Sequence, residues 1–200
     1  MNDTALKSYR RHTLRVMLII FMVGSGILFL SISVFSIFYV KHAAFSLAVY
    51  PFPKAFVLST ISILFSGLFF YKARENFEHG ILISLYRYLI LALILSMVFI
   101  AFQIDGWARM LSYTNDIGSK NLVSFVLALS GIHAIHLLGG LIFLIWMIFS
   151  VKMARKDDVK GLMFTTEPYT KARLATLSLY WLYLEIIWVL QFLLFYLVYW

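Results

Sequence analysis

Five long apolar segments dominate the chain: about Val16–Val40, Ala55–Tyr71, Tyr86–Phe102, Leu122–Val151 and Leu174–Trp200. Short polar or charged stretches separate them. At about 1.5 Å per helical residue each segment can cross a hydrocarbon core of about 30 Å, the second and third being near the short limit. The pattern predicts an all-α integral membrane bundle of five transmembrane helices, with residues 1–200 as a single membrane domain. Val16–Val40 is too long for a signal-peptide core and lacks a small-residue cleavage site, so it is expected to remain as a span. Pro51 and Pro53 in Tyr50-Pro-Phe-Pro53 end one helix and start the next. Lys72–His79 reads as a short charged loop and Lys152–Arg173 as the longest one. Residues 1–15 read as a basic segment along the lipid surface.

Composition sharpens the picture. Hydrophobic residues make up 62% of the 200-residue chain and charged ones only 13%, with a mean hydropathy of +0.90. A soluble domain of this size cannot bury that much apolar surface. The formal charge of +8 is sorted by side rather than clustered. Thirteen of the 17 Lys and Arg fall on the N-terminal segment, the second loop with its flank, or the fourth loop, leaving Lys41, Lys54, Arg109 and Lys120 opposite. The charge asymmetry predicts a cytoplasmic N-terminus and an external C-terminus, and it is a topology signal rather than a nucleic-acid footprint. With no cysteine, thiolate metal sites, iron–sulfur clusters and c-type haem attachment are excluded.

The fourth segment contains Ser130-Gly-Ile-His133-Ala-Ile-His136-Leu-Leu-Gly-Gly140. His133 and His136 lie about 60° apart on a helix, with Ser130, Leu137 and Gly140 on the same side. Two imidazoles in hydrocarbon need partners, so this polar seam must face protein. The fifth segment holds the one deeply placed acid, Glu185, on a face with Trp181, Trp188 and Phe192. His133 and Glu185 each lie about 17–18 Å from their membrane entrances, near the midplane. Equal depth predicts a structural polar clasp of Glu185 with His133 or His136, Ser130 belonging to the same seam. Elsewhere, Ser59, Ser62 and Ser66 share a face beside Gly67, and Gly24-Ser25-Gly26 forms a small patch suited to close helix approach.

Catalytic chemistry is harder to find. Two axial histidines for a b-type haem must converge from different helices, and His12, His42 and His79 all fall in loops or tails. A zinc or copper site from His133, His136 and Glu185 is sterically conceivable, and a proton relay through Glu185 is chemically so, but satisfied structural groups are the commoner meaning. No Walker loop, nucleotide-binding turn or nucleophile elbow occurs. No catalytic, cofactor-binding or metal-ligating residue is assigned.

The motif residues carry a resemblance. Ser130-Gly131-x-His133-x-x-His136-x-x-x-Gly140 resembles the [ST]-G-x-H-x-x-H-x-x-x-G helix of the cytochrome c oxidase subunit III family. Tyr180-Trp181…Glu185-Ile-Ile-Trp188 is similar to that family's Y-W-H-F-x-D-x-x-W helix, and Gln103 with Trp107 matches its Q-x-x-E-[YW] element. Leu58-Ser-Thr with Ser62 and Ser66 is similar to its L-x-T…S helix. The resemblance covers nearly the whole chain and is to the short, five-helix bacterial form. Departures are Leu182 for histidine, Glu185 for aspartate, Gly106 in place of the Q-x-x-E glutamate, and Gly26 where a first-helix glutamate commonly stands. The resemblance implies an accessory, non-catalytic core subunit of a haem–copper terminal oxidase (cytochrome c oxidase) in aerobic respiration, in the bacterial inner membrane. It implies no cofactor in this chain, haem and copper in partner subunits, and bound phospholipid. Its implied partners are catalytic subunit I, subunit II and a small subunit IV, with a place in a respiratory supercomplex. The implied roles are assembly, oxygen access and stable proton-translocating electron transport. The alternatives are the related subunit of a quinol oxidase or nitric oxide reductase, and a small membrane transporter, although neither broken helices nor an inverted repeat is visible.

Overall fold

The computed structural model describes residues 3–42, 53–112 and 117–199. Among them there are six helices and no strand: α1 (Asp3–His42), α2 (Lys54–Glu78), α3 (Leu82–Ser112), α4 (Ile117–Ala154), α5 (Asp158–Thr166) and α6 (Pro168–Tyr199). All but α5 are long and apolar enough to cross a membrane. Most of the predicted turn Tyr50–Pro53 lies outside the described residues. Pro53 itself supplies the extended N-cap of α2, at φ −62° and ψ 123°.

The helices outrun the predicted spans. Lys72–His79 is not a loop, because α2 continues to Glu78 with Lys72–Glu75 and Arg74–Glu78 ion pairs at 2.9 and 3.4 Å on its surface. Such exposed pairs are weak, but they favour continuing a helix already nucleated in lipid. Helix α1 likewise starts at Asp3, within the segment expected to lie along the lipid, and α5 occupies nine residues of the predicted Lys152–Arg173 loop. Hydropathy marks where lipid ends, which is not where a helix must end.

Helices α2 and α3 form an antiparallel hairpin. Its turn needs a left-handed residue, and Gly80 supplies it at φ +73°, while the Ile81 N–H donates back to the Asn76 carbonyl (2.9 Å). Along the hairpin the Ser66 hydroxyl reaches the Ala92 carbonyl (3.0 Å) and lies 3.1 Å from the Ser96 hydroxyl. Farther along, Gly106 admits the ring of Phe56. Helix α4 packs on α3 and α6, α6 also packs on α2, and α1 leans on α4 and α6. In the Gly24-Ser25-Gly26 patch the contact is made by Ser25, 2.7 Å from the Tyr183 hydroxyl, and by Gly26 beside the Tyr183 ring, whereas Gly24 meets nothing.

A Cβ on Gly106 would stand 2.9 Å from two Phe56 ring carbons, and that ring is only 2% exposed. Gly106→Ala is expected to destabilise the bundle by about 1–3 kcal/mol, the usual cost of overpacking. Circular dichroism during SDS unfolding measures it, and an unchanged midpoint would mean that Phe56 can move aside.

Candidate functional site

The seam on α4 faces protein because its residues recur at three- and four-residue spacing. Ser130, His133, Leu137 and Gly140 are all buried. Ser130 accepts from the Trp107 indole N–H of α3 (2.8 Å) and donates to the Val126 carbonyl one turn back. Trp107 is thus partly turned inward, whereas the nearby Asp105 stays exposed and pairs with Arg109 at 2.8 Å.

His133 sits in an aromatic enclosure. Its ring centroid lies 5.2 Å from Trp188, 5.9 Å from Phe99 and 6.5 Å from Phe29, so α6, α3 and α1 all converge on it. His136 stands at the edge, stacked on Phe21 at 5.3 Å, with Nδ1 donating to the Ile132 carbonyl (2.8 Å). The Tyr180 hydroxyl donates to the His136 carbonyl (2.9 Å), linking α6 to α4. Gly140 makes that approach feasible, since a Cβ there would lie 3.1 Å from the Tyr180 ring.

The structure does not bring Glu185 to the histidines. Its carboxyl is laid onto Gly67 of α2, in the space a Gly67 side chain would occupy. Neither ring nitrogen of His133, nor Glu185 Oε1, hydrogen-bonds a described residue. The depth estimate placed acid and imidazole at one level, but α6 has different neighbours on different sides, and the acid turns towards α2. Glu185 lines a cavity of about 290 Å³ with Gly67, Phe70, Trp181 and, farther along, Arg15 and Arg74. No group of three or more His, Asp or Glu side chains suited to a metal occurs among the described residues. The arrangement offers hydrogen bonding and packing, not a ligand set.

The other motif residues join this seam from other helices. Trp188 donates its indole N–H to Thr60 (2.9 Å) and meets Phe99 edge-on at 5.0 Å. Trp181 stacks on Phe70 at 5.3 Å and Gln103 donates to Ser59 (2.9 Å). Gly131 has open space beside it. Sequence reasoning assigned no role to Thr60, Tyr180, Tyr183 or Gln191. Thr60 and Tyr180 stand inside the quoted motifs, and Gln191, only 2% exposed, is an amide in an otherwise apolar stretch, which is itself a signal.

Two substitutions follow. Gly67→Ala is expected to destabilise by about 1–3 kcal/mol through collision with the Glu185 carboxyl, and by under about 0.5 kcal/mol in a Glu185→Ala background. SDS-unfolding midpoints of the four proteins give the coupling, and simple additivity would refute the contact. Ser130→Ala is expected to cost about 1–3 kcal/mol by leaving the Trp107 N–H unpaired, and adding Trp107→Phe is expected to restore most of it.

No family model matches the chain. A curated relative is similar over most of it: cytochrome bo(3) ubiquinol oxidase subunit 3 of Buchnera aphidicola subsp. Schizaphis graminum (strain Sg) is 27% identical over 174 residues, spanning 87% of this chain and 84% of the relative. Such coverage extends well beyond any one span. In its five apolar helices, in the motif residues on α3, α4 and α6 and over most of its length, the chain is similar to subunit III of a haem–copper oxidase.

Proposed function

We propose that this chain is the accessory subunit III of a haem–copper terminal oxidase in an aerobic respiratory chain. The observation that carries the reading is the near-full-length similarity to a subunit of such an oxidase. The seam supports it, because the Ser130 hydroxyl and the His136 carbonyl tie α4 to α3 and α6. Haem and copper belong to the partner subunits, and the chain contributes a rigid helical surface to the catalytic subunit and to subunit II, with bound phospholipid between them. Its effect on oxygen reduction and proton translocation is through assembly, oxygen access and durability of the core. The single bundle 1–200 sits in the bacterial inner membrane with its N-terminus in the cytoplasm, as the distribution of Lys and Arg supports.

The electron donor divides this reading in two. Cytochrome c is the donor that the motif resemblance names, and ubiquinol is the donor in the relative's name. Purification in mild detergent, with mass spectrometry and visible spectra of what accompanies the chain, tests the assignment. A copper-containing haem core is expected to co-purify and to contribute all of the Soret absorbance. A non-haem-iron reductase core, or no redox partner, would overturn it. Turnover of the purified complex with reduced cytochrome c and with quinol, compared side by side, assigns the donor.

A further inference from the structure

Helix α5 has two unlike faces. On the inner one, Gly161 lies so close to α3 that a Cβ would stand 3.0 Å from a Leu82 methyl, and Phe164 meets Phe77 of α2 edge-on at 6.1 Å. This face holds α5 across the end of the α2–α3 hairpin. On the outer one, Val159 and Met163 lie one turn apart with Leu162 beside them, and the three are 67%, 66% and 67% exposed. Large apolar side chains so exposed on a water-facing helix would be unfavourable, and nothing in the bundle needs them there.

The position of α5 suggests what covers them. Helix α3, at 31 residues, is about 46 Å long against about 30 Å of hydrocarbon, so its Leu82 end stands among head groups rather than in bulk water. Ile81 and Ile83, at that same level, are also exposed. The surroundings carry charge of one dominant sign: Lys152, Arg155, Lys156, Lys160, Lys171 and Arg173 against Asp157, Asp158 and Glu167. Asp157 is partly engaged, capping α5 by accepting from the Val159 N–H (3.0 Å). The Arg155 guanidinium lies 4.7 Å over Tyr86, and that of Arg173 4.3 Å over Trp146 and beside Tyr169. Aromatic rings paired with arginine at a bundle's perimeter mark the membrane interface.

We infer that α5 is an interfacial helix that seats Val159, Leu162 and Met163 at the boundary between head groups and acyl chains of an anionic leaflet, with the surrounding lysines on lipid phosphates. A short helix of this kind gains hold from apolar burial and from cationic attraction together. Seated so, it clamps the α4–α6 connection to the membrane. The inference does not depend on which redox complex the chain serves.

The chain has no cysteine, so single replacements report cleanly. Val159→Cys, Leu162→Cys and Met163→Cys, with Lys160→Cys as the reference on another side of the helix, are labelled with a small fluorophore in the intact complex. The labelled cysteine-unmodified parent supplies the background from partner subunits. In phosphatidylglycerol–phosphatidylcholine vesicles, brominated acyl chains are expected to quench the first three labels at least about threefold more than the reference, and aqueous iodide to quench them less. Replacing phosphatidylglycerol by phosphatidylcholine is expected to reduce the acyl-chain quenching by about half or more. Equal iodide quenching at all four positions would overturn the proposal by making α5 a water-exposed cap. Protection from both quenchers would overturn it in favour of a protein partner. Undiminished acyl-chain quenching in the neutral vesicles would refute the anionic leaflet.

Discussion

Inside hydrocarbon, burying an apolar side chain against another helix gains little over leaving it in lipid, so directed contacts and close fits must hold the helices in register. This bundle meets the constraint with polar side chains spread over its helix pairs. Gln103 to Ser59 and Ser66 to the Ala92 carbonyl join α2 and α3, and Trp107 to Ser130 joins α3 and α4. Tyr180 to the His136 carbonyl joins α4 and α6, Trp188 to Thr60 joins α2 and α6, and Ser25 with Tyr183 joins α1 and α6. Each bond is worth about 1 kcal/mol or less in a membrane, but each also has a direction, which greasy contact lacks. Trp188 touches three other helices, with its N–H on Thr60 of α2 and its ring 5.0 Å from Phe99 of α3 and 5.2 Å from His133 of α4.

Glycines do the complementary work. Gly106 receives the ring of Phe56, Gly140 the ring of Tyr180, and Gly67 the carboxyl of Glu185. In each case a neighbour's large side chain uses the volume that a missing Cβ leaves. The glycines at 106, 140 and 67 therefore explain how α2 reaches both α3 and α6, and α6 reaches α4, with aromatic residues between them. A bundle built this way offers a stiff helical surface.

How much of this was legible depends on the direction considered. Periodicity showed that Ser130, His133 and Gly140 turn towards protein, and they do. Counting residues from the membrane entrances put Glu185 and His133 at one depth, and from that a clasp was expected. The count was blind to Gly67, which by the same arithmetic lies about 18 Å in from Ala55 and is small enough to receive a carboxyl. Similarly, charge at Lys72–His79 suggested a loop where α2 continues, because water tolerates a helix as readily as a loop.

The sequence by itself determined the number of membrane-length helices and the side of α4 that packs on protein. Those follow from hydropathy and from the 3.6-residue turn, both local to one helix. The tertiary structure alone decided that Glu185 faces α2, that Trp107 bonds to Ser130 and that Phe164 of α5 meets Phe77 of α2. Depth is set along the membrane normal by transfer between water and lipid, whereas the choice of neighbour is made in the membrane plane. There the lipid is uniform and only the fit between side chains discriminates.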